Sequence, residues 1–503
     1  MESGRQRGRL QALEAAGLAV VAVAVGFRLY ALGRLPGING DEAWYGVLAA
    51  RLGHANPDGW RTPSGNLPGP FQLGVLAILG RLPGWGAPPP FALLRVPSVL
   101  ASLAQIALMF LVARKHFGRA VAAVAALLTA ALPIEIAYAR FGWDPSHAGM
   151  VAIVALHLAL EGRRAPTIAC FALAVWVHPT SLFLAPALIA ADVFRRPDWP
   201  QAARRASLAL LVMGAAFVVL LALRSRGLPA GMGATVFLLR LVDPRQWARF
   251  ALLFVRLLSG ETVYTYITGA GYGAARAPID LAVGALLVAA LWRGGRRLRG
   301  KPRELGIVVG WLASVAAFFA IAGPEALEPH VERYALPLMV PTILALAILA
   351  CEALPELRAV ALTVAISAAL LVGFPRRYFA ELEATGSTSH PTFWTGPVEP
   401  KLAAFTQIAA EARVRGGPAE IVAYGWWLTW PLKYLALGSS VEVVDGTPPD
   451  GALPAAGAYL VSFAGNDGDG WARRFGPVVL RWQIRGAGGH VAVNVWQRAA
   501  AAP

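Results

Sequence analysis

Runs of apolar residues long enough to cross a lipid bilayer recur along this chain, and few folds are open to such a sequence. About 20 apolar residues match the hydrocarbon core, where every backbone N–H and C=O must be satisfied within the segment, so each run is expected to be a helix. Runs of this kind lie near residues 12–32, 93–113, 120–138, 146–161, 165–178, 180–194, 206–223, 279–293, 304–322, 333–352 and 358–374. They predict an α-helical polytopic membrane protein of about eleven transmembrane helices. Composition agrees, since 15% of the 503 residues are charged against about 25% in a soluble chain. The net charge of +16 does not point to nucleic acid, because Arg is spread through short loops instead of gathered on one soluble face. Cys170 and Cys351 lie in or beside apolar runs and far apart, which gives no basis for a disulfide framework or a thiol-based metal site.

The first run follows Arg5, Arg7 and Arg9 as a signal peptide would. It is long enough to span and many spans follow, so it reads as a retained helix. With the N-terminus cytoplasmic, the inside loops collect Arg114, Lys115 and Arg119, then Arg163 and Arg164, then Arg195, Arg196, Arg204 and Arg205, and then the cluster from Arg293 to Arg303. The outside loops, near 33–92, 139–145, 178–180, 224–278 and 323–332, carry most acids of the membrane part, including Asp41, Glu42, Asp144, Glu261 and Glu332. This segregation follows the positive-inside rule and fits a multi-pass protein of the inner (plasma) membrane. Phe71 to Leu82 is too short to span and reads as interfacial, as does Pro244 to Ser259, where Trp247 and Phe250 alternate with Arg245, Arg249 and Arg256.

Past Phe374 the apolar runs shorten to strand length and charges of both signs balance. Residues 1–374 therefore form the transmembrane unit and 375–503 a small soluble α/β domain, which an odd number of spans leaves extracytoplasmic. Val398 to Arg415 has helical periodicity, and Ala419–Tyr424, Val441–Val444, Ala458–Phe463, Val478–Ile484 and His490–Trp496 read as strands. The domain has no nucleophile elbow, phosphate-binding glycine loop or paired metal motif, so a structural, lid or acceptor-recognition role is expected. Its aromatic cluster, Tyr424, Trp426, Trp427 and Trp430, fits burial in the domain core, docking on the membrane, or stacking on a sugar.

The stretch Gly40-Asp41-Glu42-Ala43-Trp44-Tyr45 places two adjacent carboxylates just beyond the first span. A second acid, in Phe141-Gly142-Trp143-Asp144-Pro145, stands at another helix entrance on the same face. Acids from two loops can converge on one cavity. Intramembrane ionisable groups of a transporter would instead sit near mid-helix, often with internal repeats.

These motifs follow one another in an order that resembles a known family. The run from Phe91 through Arg95, Pro97 and Ser98, then Arg114-Lys115-His116-Phe117-Gly118-Arg119, then Tyr138-Ala139-Arg140-Phe141-Gly142-Trp143-Asp144 is similar to the N-terminal half of the GT-C glycosyltransferases. The likeness is to the protein O-mannosyltransferase and lipid A aminoarabinose transferase group. Gly40 to Tyr45 matches that group's first-loop acidic motif, Pro68-Gly69-Pro70 stands where it has Pro-Pro-Leu, Val177-His178-Pro179-Thr180 resembles its Pro-Thr turn, and Glu332-Arg333-Tyr334 resembles its Arg-Tyr entry to a late helix.

The resemblance implies a hexosyl- or pentosyltransferase that takes a sugar from a polyprenyl-phosphate donor and moves it to a lipid, glycan or protein acceptor on the outer face, by direct inverting displacement. Asp41 is the implied base, with Glu42 second. Asp144 either shares a divalent cation, Mg²⁺ or Mn²⁺, with Asp41 or orients the sugar or acceptor. Arg333 with Tyr334, and then His178 and Arg140, are the implied partners of the donor lipid phosphate. Trp44, Tyr45 and Arg95 are implied in substrate binding, although Arg95 equally suits a pairing with the loop acids, and Arg28 is a similar structural candidate. The alternatives are a transporter or flippase of lipid-linked saccharides and an O-antigen polymerase or ligase.

Overall fold

The computed structural model describes residues 2–51, 68–80, 90–196, 198–202, 204, 240–385, 400–446, 453–465, 468–486 and 489–499. Its helices in chain order are α1 (Glu2–Leu29), α2 (Gly40–Arg51), α3 (Pro70–Leu79), α4 (Phe91–Phe117), α5 (Arg119–Ala131), α6 (Pro133–Tyr138), α7 (Ala148–Leu160), α8 (Arg164–Val177), α9 (Ala185–Phe194), α10 (Pro244–Ser259), α11 (Glu261–Ile267), α12 (Arg276–Arg297), α13 (Pro302–Ala322), α14 (Leu336–Ala353), α15 (Glu356–Phe374), α16 (Glu381–Thr385), α17 (Pro400–Arg415), α18 (Trp426–Leu435) and α19 (Gly468–Arg473).

Six segments among the described residues are long and apolar enough to cross a membrane: Gln11–Leu29, Phe91–Phe117, Gly273–Arg297, Pro302–Ala322, Glu332–Ala353 and Glu356–Ala384. The pair α10 and α11, bent by 77°, makes seven if counted as one broken span. Among the described residues the expected eleven are not confirmed. The runs near 120–138, 146–161, 165–178 and 180–194 form helices of fewer than 18 residues, and the run 206–223 lies outside the described residues. A 13-residue helix such as α5 rises about 20 Å at 1.5 Å per residue, short of a hydrocarbon core of about 30 Å.

The break after α5 has an identifiable cause. Pro133 opens α6 with Leu132 extended before it, and a proline lacks the N–H that would bond the carbonyl four residues back. That carbonyl, on Thr129, accepts instead from Arg28 Nη2 at 3.1 Å, while Arg28 Nη1 reaches the Ala130 carbonyl at 2.7 Å. Arg28 is fully buried and serves as the cap of a broken helix. At the centre of the bundle, α14 buries residues all round its circumference, including Met339, Val340, Ile343 and Leu344, and α5, α7, α12 and α13 pack around it.

The C-terminal domain is a five-stranded sheet in the order β2-β1-β3-β5-β4, built from β1 (Ala419–Ala423), β2 (Val441–Asp445), β3 (Tyr459–Phe463), β4 (Val478–Arg485) and β5 (Val491–Arg498). β1 runs parallel to β2 and β3, and β5 runs antiparallel to β3 and β4. Alternation places Ile421, Ala423, Val461 and Val493 against α17 and α18 on one face. Val422, Leu460 and Trp496 meet Trp471 and Phe475 on the other. The expected strands are present, and α18, which the tryptophan-rich run concealed, is added to them.

The domain is docked on the first loop through α18. Phe91 and Tyr434 approach to 5.7 Å between ring centroids, Trp44 lies edge-on to Trp430 at 6.4 Å, and buried Lys401 Nζ donates to the Ile38 carbonyl at 2.7 Å. A Cβ on Gly46 would lie 2.6 Å from the Tyr434 ring and 3.0 Å from Leu94, so only glycine lets α2 and α18 approach this closely. Gly46→Val is expected to cost about 1–3 kcal/mol through overpacking, seen as a lower thermal midpoint in detergent; an unchanged midpoint would mean α18 does not dock here.

Candidate active site

The turn before α2 is shaped by a reciprocal cap. The Glu42 amide donates to Asn39 Oδ1 at 3.0 Å and the Asn39 amide to Glu42 Oε2 at 3.4 Å, which satisfies two amides at the helix start. Glu42 is fully buried and its oxygens are filled further: Arg95 Nε donates to Oε1 at 2.8 Å, Arg95 Nη2 to Oε2 at 2.9 Å, and the Gly142 amide to Oε1 at 2.8 Å. The rest of the Arg95 guanidinium serves the carbonyls of Leu32, Leu35 and Gly37. Of the two readings of Arg95, the structure displays the pairing with a loop acid. Glu42 is thereby occupied in holding the loop, and its neighbour Asp41 is turned elsewhere.

Asp41 accepts from the Trp426 indole N–H at 2.9 Å and lies within electrostatic reach of Arg333. Burial raises the Asp41 carboxyl above the usual range, Arg333 and the indole N–H draw it back, and the Glu42 charge pushes it up again. Asp144 enters a short 3₁₀ turn at Pro145. Its Oδ2 accepts from the Tyr45 hydroxyl and from the Gly69 amide, while Oδ1 is buried without a hydrogen-bond partner among the described residues. Burial pushes the Asp144 carboxyl up to about 6, against the opposing pull of the Tyr45 and Gly69 donors. A Cβ on Gly69 would overlap the Asp144 carboxylate, which accounts for glycine between two prolines in that loop. Tyr45 lies within electrostatic reach of both acids, and Trp44 packs edge-on to it at 4.9 Å.

The cationic side of the site comes from the entry to α14. The Arg333 guanidinium stands over the rings of Trp143 at 5.4 Å and Tyr334 at 5.3 Å, and donates to the His330 carbonyl at 3.0 Å. Beside it, the Tyr138 hydroxyl donates to buried Glu332 at 2.7 Å. The His178 ring lies 5.7 Å from Tyr334 and its Nδ1 is 2.6 Å from Thr180 Oγ1. Asp41, Asp144, Tyr45, Arg333, Tyr334 and His178 therefore occupy one neighbourhood.

Arg140 is spent elsewhere. It is fully buried, its Nη1 donates to the Phe27 and Arg28 carbonyls at 2.5 and 3.2 Å and its Nη2 to Leu35 at 2.7 Å, and it stacks over Phe379 at 4.9 Å. It ties the end of α1 to the second acidic loop and is not aimed at a phosphate. Two further residues join the site: Trp426, from the aromatic cluster that the sequence fitted to core burial, membrane docking or sugar stacking, and Tyr266, which the sequence did not single out. Trp426 belongs to the soluble domain, and Tyr266, hydrogen-bonded to Arg333 and within electrostatic reach of Asp41, belongs to α11. The one available signal was the aromatic content of each stretch.

No family model matches the chain and no curated protein matches it. Among solved structures it is similar to ArnT from Cupriavidus metallidurans bound to undecaprenyl phosphate, with 15% identity and a TM-score of 0.38 over 99% of each chain. It is also similar to the Archaeoglobus fulgidus oligosaccharyltransferase in complex with Zn and sulfate, with 15% identity and a TM-score of 0.46 over 89% of this chain and 68% of that one. The same archaeal protein tethered to an acceptor peptide containing the NVT sequon gives 14% identity and a TM-score of 0.45, over 89% of this chain and 69% of that one.

The two neighbouring acids should separate in their effect on stability. Glu42→Gln breaks a buried ion pair and is expected to cost about 3–5 kcal/mol. Asp41→Asn replaces a carboxylate that burial disfavours and should leave the thermal midpoint unchanged or higher. Thermal unfolding of both variants in one detergent checks this, and equal losses would contradict the division of roles.

Proposed function

We propose that this chain is an integral membrane glycosyltransferase of the GT-C kind, moving a sugar from a polyprenyl-phosphate donor to an acceptor at the extracytoplasmic membrane surface. The observation that carries the proposal is the division of labour between Asp41 and Glu42: one acid is consumed by Arg95, and the other faces Arg333 across a cluster of aromatic rings. A lipid-linked donor delivers its headgroup at the interface, where helix ends such as those carrying Asp41, Asp144 and Arg333 can meet it.

In this reading the acceptor hydroxyl attacks the anomeric carbon. The new C–O bond forms as the bond from carbon to the phosphate oxygen breaks, Asp41 takes the hydroxyl proton, and the lipid phosphate leaves with the bonding electrons. Arg333 meets that developing charge in a site walled by Trp143, Tyr334 and Tyr266, where exclusion of water strengthens the interaction. His178 and Tyr334 line the phosphate side, and Tyr45 holds Asp144 toward the sugar. The buried Oδ1 of Asp144, without a partner among the described residues, is an oxygen ligand of the kind a divalent cation such as Mg²⁺ or Mn²⁺ takes, and Asp41 lies within electrostatic reach of the same Tyr45. Such an ion would neutralise charge on the donor phosphate.

Purified protein in detergent, given a panel of polyprenyl-phosphate sugars, should release free lipid phosphate from its own donor. Asp41→Asn is expected to slow release by about 10²–10⁴-fold with donor affinity kept, and Arg333→Ala to slow it by about 10²–10³-fold with donor affinity reduced. A base must be ionised, so the rate should fall with decreasing pH, with a midpoint above the ordinary aspartate value because burial raises Asp41. Full turnover by Asp41→Asn would sink the assignment.

A further inference from the structure

A second cluster of chemistry-bearing side chains lies at the other end of the bundle and takes no part in the reaction above. α4 starts beside the acidic loop, at Arg95, and runs to His116, about 30 Å away at 1.5 Å per residue. α7 follows the turn that carries Asp144 and has His157 in its last turn, one helical turn before Glu161 at its C-cap. At these far ends His116 Nε2 lies 3.1 Å from His157 Nδ1 and 3.3 Å from Glu161 Oε1, and the three ligand atoms all fall within 4.8 Å of one another.

A hydrogen bond between the two rings accounts for their 3.1 Å contact and leaves Glu161 Oε1 beside it, 3.3 Å from the same Nε2. The one N–H that Nε2 of a neutral His116 can carry points at a single acceptor, yet a ring nitrogen and a carboxylate oxygen both converge on it. A cation at the centre satisfies the three lone pairs together. Two of the three spacings, 3.1 and 3.3 Å, are close to the about 3.3–3.4 Å between ligand atoms of an ion bound tetrahedrally at about 2.0–2.1 Å, and the third lies within 4.8 Å. Two imidazoles and a carboxylate suit Zn²⁺ and disfavour Mg²⁺. Glu161 is partly exposed, so water can complete the fourth position. Lys115 Nζ, 3.1 Å from Glu161 Oε1 on a side chain 55% exposed, competes for that carboxylate and is free to swing into solvent.

We propose that His116, His157 and Glu161 bind one zinc ion, which clasps α4 to α7 at the membrane face opposite Asp41. The ion cross-links the two elements whose other ends hold Arg95 and Asp144, so it stiffens the frame of the acidic site without touching substrate. This inference does not depend on the transferase reading.

Tag-free full-length protein in detergent, stripped with chelator, is titrated with Zn²⁺ against a fluorescent zinc chelator, with Mg²⁺ as a parallel titrant. One equivalent of zinc should bind and raise the thermal midpoint, and millimolar Mg²⁺ should do neither. His116→Ala and His157→Ala should each weaken zinc binding by about 100-fold or more, and Glu161→Gln by about 10-fold or more. Lys115→Ala keeps every ligand and removes the competitor, so it should bind as tightly as wild type or tighter; this guards against variants that fail to fold. Absence of a stoichiometric zinc, or one retained in both histidine variants, overturns the proposal.

Discussion

The buried pairing of Glu42 with Arg95 is the interaction on which the arrangement of the acidic loops depends. Taking both charges out of water costs several kcal/mol per ion, and attraction offsets that only where the remaining donors and acceptors are also filled. Here they are filled. Glu42 accepts from Arg95 twice, from Gly142 and from Asn39, and Arg95 spends its other protons on three carbonyls of the loop before α2. One ion pair thus joins the end of the α1 region, the start of α2, the start of α4 and the loop that presents Asp144. Arg140 reinforces the same junction from the far side, through the carbonyls of Phe27, Arg28 and Leu35. With both guanidiniums committed to backbone, Arg333 is left as the cation nearest Asp41 in the described site.

The parts of this fold that are legible in sequence are those set by local pattern. The six long spans coincide with expected apolar runs, and the strands at 419–423, 441–445, 459–463, 478–485 and 491–498 coincide with short alternating stretches. The break within the run 120–138 has a local cause that was visible but ambiguous: Pro133 sits within it, and whether a proline kinks a helix or ends it depends on a partner for the abandoned carbonyls. That partner, Arg28, comes from another helix. The same limit governs the site. Asp41 and Glu42 look alike in sequence because what distinguishes them is Arg95, 53 positions away, and Gly142, 100 positions away. Arg140 and Arg333 likewise look alike in sequence and differ in surroundings set by distant residues: three carbonyls of the α1 region take up the fully buried Arg140, while Arg333 keeps one carbonyl partner beside Asp41.

The soluble domain also changes its meaning once α18 is placed. Its aromatic cluster divides among three environments: Tyr424 packs on Trp471 of α19, Trp427 lies between the domain core and Gly40, and Trp426 and Trp430 turn to the membrane part. Neither a domain core nor a membrane anchor describes the last two. The Trp426 indole donates to Asp41 while its ring closes against Gly40, so the domain furnishes a wall of the acidic site. A lid role fits this placement better than a remote recognition role.

That wall bears on the chemistry of Asp41. A carboxylate close to Arg333 in open water would be held ionised, weakly basic and slow to accept a proton. Covering the pair with Trp426 and flanking it with Trp143 and Tyr266 raises the carboxyl by desolvation, and the charge of Glu42 next to it pushes in the same direction. The opposing pull of Arg333 keeps the acid from becoming permanently protonated. In the proposed reaction, a departing phosphate that engages Arg333 would weaken that pull and leave Asp41 more basic as the hydroxyl proton is taken. On that proposal Glu42 would act twice, through Arg95 by fixing where Asp41 stands and through its own charge by raising the Asp41 carboxyl.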